Sequence, residues 1–438
     1  MESGSGQLKK TLGPLSLWGL GVGYVISGEY FGWNLGLPLG GTLGMLIATL
    51  VVTAMYAGFA LSYAELACAL PRAGGAFVYA TRAFGPRIGA LAGIAQLIEF
   101  ALAPPAIAMA IAAYVTQRYP LLDVRLVALL TYALFSGLNA WGVRQAAAFE
   151  LFVTVLAVVE LLIFAVVALP HFDFAAFSRE PLPNGLSGAF AALPFAIWFY
   201  LGIEGVANAA EEAAHPQRDV AFGFTAALIT LVGLALLVFF AAVGVSGWRA
   251  VVFAPGSSEP SDAPLPLALA LIVSRDSPLY TLLLGIGMLG LIASFHGILL
   301  ASARATMELG RAGYAPRWLG RVHAGSGTPR VALLVNMGLG ALAILSGRTA
   351  DIITLSVLGA LLMYVLAMAA LFRLRKSEPA LLRPFRAPLF PWLSGLALVL
   401  AVLCLISVAW TAPRLALVFV LLLGLGALLR VRDHKSSV

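Results

Sequence analysis

Charge is scarce in this chain. Only 11% of its 438 residues are Asp, Glu, Lys or Arg, against about a quarter in soluble domains, which excludes an ordinary water-soluble enzyme. Cysteine is nearly absent too. Cys68 and Cys404 both lie inside apolar runs, where a thiol behaves as a small buried hydrophobe. Metal-ligand spacing, a nucleotide-binding glycine loop and an activated nucleophile are all missing. The sequence is therefore read as having no metal, no cofactor and no catalytic residue. What fills it is apolar: 61% hydrophobic residues and a mean hydropathy of +0.96.

A membrane span needs roughly 20 apolar residues, and the length accommodates about a dozen. Breaking the chain at charges, prolines and polar clusters gives twelve: 15–38, 42–70, 88–116, 124–142, 146–169, 187–210, 220–246, 278–303, 331–347, 351–372, 388–411 and 413–430. The runs are continuous, not alternating, so helices are expected and not barrel strands. The early stretch from Leu15 is too long and Gly-rich for a cleaved leader. The opening Met1-Glu2-Ser3-Gly4-Ser5-Gly6 reads as a loose tail. With the N-terminus inside, 20 of the 27 Lys and Arg residues fall on inner loops. The positive-inside rule then places both termini in the cytoplasm of a multi-pass protein of the inner, or plasma, membrane. The net charge of +7 belongs to loops facing anionic lipid and does not call for nucleic acid. The longest outer segments, 170–186 and 247–277, are connecting loops or caps of an external vestibule.

Two spans carry an unusual combination. Span 1 has Ser27-Gly28-Glu29 at its middle, and span 6 has Tyr200-Leu201-Gly202-Ile203-Glu204-Gly205. A glycine costs about 1 kcal/mol in a helix interior relative to Ala, and an unpaired carboxylate at mid-membrane costs several more. Glycines also serve close helix packing, which accounts for Gly32 and Gly36 but poorly for Ser27-Gly28-Glu29. Penalties repeated five spans apart match a five-plus-five inverted repeat, in which helices 1 and 6 are broken around a midplane site. The expected fold is all-α. Residues 1–12 form a tail, 13–170 the first repeat, 171–372 the second, and 373–438 spans 11 and 12 with the C-terminal tail.

The stretches GPLSLWGLGVGYVISGEYFGWNLGL (13–37), SYAELACALPRAGGAFVYATRAFG (62–85), QLIEFALAPPAIA (96–108) and SFHGILLASARATMELGRAGYAP (294–316) resemble the bacterial ethanolamine permease family. That family lies within the amino acid–polyamine–organocation superfamily, of which P-x-A-G-G-x-x-x-Y is typical. The resemblance covers at least spans 1–8. It implies twelve helices and import of small amines or amino acids down a proton gradient. Carried over by motif, Ser27-Gly28 is the unwound substrate loop of span 1. Trp198, Phe199, Leu201 and Gly202 form the aromatic-and-break segment of span 6. Gln96 and Glu99 face the site from span 3, and Ile298 from span 8.

The intramembrane acids Glu29, Glu99, Glu160 and Glu204 have no buried Lys or Arg at matching depth. Such a set favours a positively charged ligand and disfavours a free carboxylate. Permeases of this type hold a substrate carboxylate on the amides of the span 1 break, and Glu29 beside those amides would repel one. This departure supports an amine without an acid group. Tyr24, Tyr30, Phe31, Trp33, Trp198, Phe199 and Tyr200 offer ring faces worth about 0.5–2 kcal/mol to an ammonium, although aromatic rings also fill membrane cores. Pro104-Pro105 would free the carbonyls of Phe100 and Ala101 beside Glu99, or merely kink span 3.

Glu160 corresponds by the resemblance to a span 5 position that is basic in some proton-coupled relatives and part of an ion site in sodium-coupled ones. Burial disfavours the charged carboxylate, so Glu160 is expected to carry the coupled proton in preference to binding sodium. His296 is a second candidate relay, or a hydrogen-bonded structural residue. Glu65 and Glu150 are expected to pair with Arg72, Arg82 or Arg144. Glu211 and Glu212 are expected to be solvated or to line a gate. The partners implied are a small amine and lipid. The leading expectation is a proton-coupled importer of a cationic amine such as ethanolamine. A cationic or neutral amino-acid permease is the alternative, and a transporter-like sensor or membrane enzyme lies further off.

Overall fold

The computed structural model describes residues 12–71, 74–141, 147–323 and 328–433. The chain runs α1 (Pro14–Val25), α2 (Ser27–Tyr30), α3 (Leu37–Ala69), α4 (Ala76–Phe84), α5 (Pro86–Arg118), α6 (Val124–Trp141), α7 (Ala147–Ala168), α8 (Phe174–Phe177) and α9 (Gly185–Trp198). It continues with α10 (Gly205–Asn208), α11 (Pro216–Gly244), α12 (Trp248–Val252), α13 (Pro264–Leu269), α14 (Pro278–Arg311), α15 (Arg330–Ser346), α16 (Thr349–Ser377), α17 (Trp392–Thr411) and α18 (Pro413–Asp433). Among the described residues, extended backbone pairs only at two isolated bridges, Leu12 with Ala213 and Phe253 with Pro260.

Among the described residues eight helices are long and apolar enough to cross a membrane, and Gly185–Trp198, Arg330–Ser346 and Pro413–Ala427 are shorter apolar ones. The remaining span is divided between α1 and α2, because its helix is interrupted. These make the twelve expected spans of an all-α membrane protein. Proline occupies the first turn of α1, α5, α11 and α14, where its missing N–H has no helical partner to lose. The backbone at Gly41 is non-helical (φ 66°, ψ −172°), so α3 is two helices and span 2 starts near residue 42.

Several spans run past their apolar cores. α14 reaches Arg311, where Glu308 and Arg311 pair one turn apart at 3.0 Å. The apolar pattern stops at the first charge, whereas the helix continues into the interface. α5 lies at the centre of the bundle, with 89% of its apolar window buried, against 22% for α6 and 28% for α17. α5 thus carries its side chains inward, while α6 and α17 face lipid.

Charged groups fasten the ends of the bundle. Glu65 was expected to pair with a nearby arginine, but its carboxylate accepts from Arg375, lies 3.3 Å from Arg383 Nε and accepts from the Ala387 amide at 2.7 Å. Arg375 also lies over the Phe390 ring, 3.8 Å from its centroid. Arg72 and Arg144 lie outside the described residues. Arg82 grips Glu378 through two bonds of 3.0 and 2.7 Å, which holds the Glu378 carboxyl below the usual range.

At the opposite end, Asn34 donates to the Ser261 carbonyl at 2.8 Å and Thr349 to Asp262 at 2.7 Å. Burial lifts the Asp262 carboxyl to about 6, despite the Thr349 hydrogen bond. A carboxyl raised by folding stabilises the fold while protonated, and that contribution is lost as pH rises through about 6. Hydrogen exchange across 255–270, corrected for intrinsic rates, should therefore be faster at about pH 8 than at about pH 5. Asp262→Asn should flatten that difference, and an equal pH response in this variant would locate the effect elsewhere.

Candidate functional site

The two interrupted spans meet at mid-bundle. Span 1 departs from helix twice. The Tyr24 carbonyl, which would accept from Gly28 in an unbroken helix, accepts from the Ser294 hydroxyl at 2.8 Å. After one helical turn, Ser27–Tyr30, the backbone extends at Phe31 and turns at Gly32 (φ 91°). Ser27-Gly28 thus sits in a short helical turn between two interruptions and is not itself extended. In span 6 the helix stops at Trp198 and resumes at Gly205, with Gly202 at φ 99°. These positive φ values are open to glycine at little cost.

The breaks touch each other. A Cβ on Gly28 would run into the Trp198 carbonyl oxygen and lie 3.2 Å from Phe199 Cα, so only glycine permits this approach. The Trp198 indole packs against Gly32 and meets Phe31 edge to face at 5.5 Å, while Trp33 stacks on Phe199 at 5.8 Å. Gly202 faces Ile298, Val25 and the Tyr24 carbonyl. Phe199 and Leu201 are buried beside it. Span 8 therefore closes over both breaks.

Three acids are buried on the elements that form this region: Glu29 in span 1, Glu99 in span 3 and Glu204 in span 6. Glu29 is fully buried, and neither carboxyl oxygen has a hydrogen-bond partner among the described residues. The Glu29 carbonyl accepts from Trp33 Nε1 at 3.2 Å. Glu99, on α5, adjoins the Glu204 carboxyl within hydrogen-bond reach and has no other partner among the described residues. Gln96 lies one turn before Glu99 on the same face and is buried. Glu204 accepts from Tyr364 at 3.1 Å through one oxygen. Tyr364 in turn meets Tyr56 at 2.9 Å, and Tyr200 meets Thr53 at 2.7 Å. Among the described residues no Lys, Arg or His forms an ion pair with these three acids. The Trp198 indole N–H is also buried without an acceptor among the described residues.

The helix α5 runs unbroken through Pro104 and Pro105, so no opened turn flanks Glu99. Packing against α14 and α16 holds it: Gly359 of α16 lies against the Glu99 backbone, and Ser356 donates to the Glu99 carbonyl at 2.9 Å. Proline is tolerated in membrane helices where neighbours re-satisfy the backbone.

Glu160 stands apart from this group. It accepts from the Tyr30 hydroxyl at 2.7 Å, tying span 5 to the turn between the span 1 interruptions. The Ser27 and Ser294 hydroxyls meet at 2.9 Å, joining spans 1 and 8. His296 turns toward span 4, with Nδ1 3.2 Å from the Asn139 amide and Nε2 without a partner among the described residues. It is not brought to Glu160. Glu150 has one carboxyl oxygen without a partner and faces the glycines at 23 and 297. Arg304 acts on it electrostatically and lies 3.7 Å from Glu212, while the expected Arg72 and Arg144 lie outside the described residues. The Glu211 side chain is outside the described residues.

Sequence reading passed over Thr53, Tyr56 and Tyr364. The available signal was two tyrosines deep inside spans 2 and 10, away from the interfacial belts where tyrosine is common. The region of the two breaks holds carboxyl groups, phenol hydroxyls and ring faces, and among the described residues no Lys or Arg is ion-paired with Glu29, Glu99 or Glu204.

A sequence profile described as amino acid permease matches residues 12–423. The chain is 30% identical over 409 residues to an uncharacterized transporter of Rhizobium meliloti, covering 91% of this chain and 86% of that one. It is 27% identical to a branched-chain amino acid permease of Bacillus subtilis, covering 97% and 93%. It is also 27% identical to a probable GABA permease of Pseudomonas aeruginosa, covering 85% and 80%.

Proposed function

We propose, from the premise that this chain belongs to the amino acid permease family, that it imports a small cationic amine, with ethanolamine the leading substrate. Transport is by alternating access across a bacterial inner membrane, with both termini cytoplasmic and a proton as the coupled ion. The observation that carries the substrate class is that Glu99 and Glu204 adjoin in the interior, and that each of Glu29, Glu99 and Glu204 is buried with no cation paired to it among the described residues. Unpaired carboxyl groups at mid-membrane are costly, and an ammonium relieves that cost. Glu99 and Glu204 receive the ammonium, the Trp198 and Tyr200 rings flank it, and Glu29 beside the span 1 turn repels a carboxylate. Glu160 carries the proton, and its bond to Tyr30 links its protonation to the span 1 interruptions. The permease domains are the repeats 13–170 and 171–372.

A second reading, an amino-acid permease, is favoured by what the relatives are named for. A cationic amino acid would also answer the acids, provided that Glu29 turns away from its carboxylate. Uptake of labelled amines and amino acids into proteoliposomes, with and without an imposed pH gradient, separates the two. Ethanolamine uptake inhibited by free amino acids and not by other amino alcohols would favour the second.

Selectivity gives a sharper check. Glu29→Ile should weaken ethanolamine binding and admit zwitterions such as serine or alanine, since rejection here rests on an introduced repulsion. If the variant excludes amino acids as firmly as the parent does, steric fit sets the specificity.

A further inference from the structure

Beside Glu160 the structure holds a small chamber that none of the three central acids lines. Its walls include Glu160, Tyr114 of α5, Leu265 and Leu269 of α13, and Tyr280 and Leu284 of α14. The space admits a body about the size of one water molecule. α13 lies in the segment joining spans 7 and 8, and Tyr280 lies in the first turn of α14. Both belong to the face that the distribution of Lys and Arg assigns to the outside.

The polar groups are few and specific. Glu160 accepts from Tyr30, and Tyr114 donates to the Tyr30 carbonyl at 3.3 Å. The Tyr280 hydroxyl is buried with no partner among the described residues, and its side chain is only 2% exposed. A buried hydroxyl left unpaired is destabilising, and a polar occupant of the chamber would offset that. Arg275, in the turn before α14, acts electrostatically on Tyr280. The residues that α13 contributes, Leu265, Pro266 and Leu269, are apolar. One carboxyl and two phenols fall short of the oxygen shell that a hard metal cation takes, but they suit a water passing a proton.

We propose that this chamber is the outer port through which the coupling proton reaches Glu160. This rests on the reading that Glu160 carries that proton. It adds that the proton enters by a route separate from the carboxyl groups that take the amine. Substrate and proton would then be bound from the same side without competing for one carboxylate.

The test uses Leu284→Cys in the full-length protein, in right-side-out vesicles, with a small membrane-impermeant methanethiosulfonate applied outside. The native thiols of Cys68 and Cys404 are buried. Because modification follows folding, the variant needs only to fold with a smaller side chain. Modification should cut accumulation of labelled ethanolamine under a pH gradient by at least about tenfold, while substrate exchange without a gradient stays within about twofold of the untreated variant. Modification that is confirmed by mass but leaves accumulation unchanged overturns the proposal. So does failure of the reagent to reach the site from outside, and so does loss of exchange together with accumulation. Glu160→Gln measured in parallel separates the two levels. If it too accumulates normally, the assignment of Glu160 has failed. If it alone loses accumulation, only the port has.

Discussion

Replacing Glu99 by Gln should lower equilibrium affinity for the amine roughly ten- to a hundredfold, the loss expected when a charge-assisted hydrogen bond worth about 1.5–3 kcal/mol is removed. Volume is kept, so the packing of α16 against the Glu99 backbone is undisturbed. The new amide can also donate to the adjoining Glu204 carboxyl, where the parent sets two acids side by side. Thermal stability should therefore hold or rise while affinity falls. That split distinguishes a binding residue from a structural one. Calorimetry on the purified variant reads the first quantity and a melting curve the second. Ethanolamine binding equal to the parent's would remove Glu99 from the site.

Glu160→Gln should separate movement of substrate from its concentration. Glutamine still accepts from the Tyr30 hydroxyl, so the tie between spans 5 and 1 survives, but it cannot take up and release a proton. In sodium-free buffer the variant should exchange labelled ethanolamine across the bilayer yet no longer accumulate it when a pH gradient is imposed. The expected loss is the whole gradient-driven component. Accumulation equal to the parent's would pass the coupling role to Glu204 or His296.

Much of the architecture was legible because membrane spans are written locally. Apolar length placed the twelve helices, and glycine beside an intramembrane acid placed both interruptions. Local signals also set the errors. Pro104-Pro105 suggested an opened turn, but the packing of α14 and α16 around α5 decides whether a freed carbonyl opens a helix, and no local pattern records that packing. The short helical turn at Ser27–Tyr30 is likewise fixed from outside, by Ser294 on the Tyr24 carbonyl and the Trp198 indole against Gly32. Candidate acids could be named from depth alone, whereas their neighbours could not. Tyr364 lies 160 residues from Glu204, and nothing in the sequence around either marks the pair. His296 was a second candidate for carrying the proton, and the rotation of α14 that turns it toward Asn139 could not be read from its place in an apolar run.

The grip on Glu65 has a consequence for the order in which the molecule is made. Its donors lie 310 residues downstream at Arg375 and 322 downstream at the Ala387 amide. During synthesis, the second span therefore enters the bilayer with an acid at its end whose arginines have not yet been translated. Spans 3 to 9 must be inserted beside it in the meantime. The seam between spans 2 and 10 can be sealed only when the segment leading into α17 has left the ribosome, so closing the bundle at this end is a late, post-insertion event in the biogenesis of the protein.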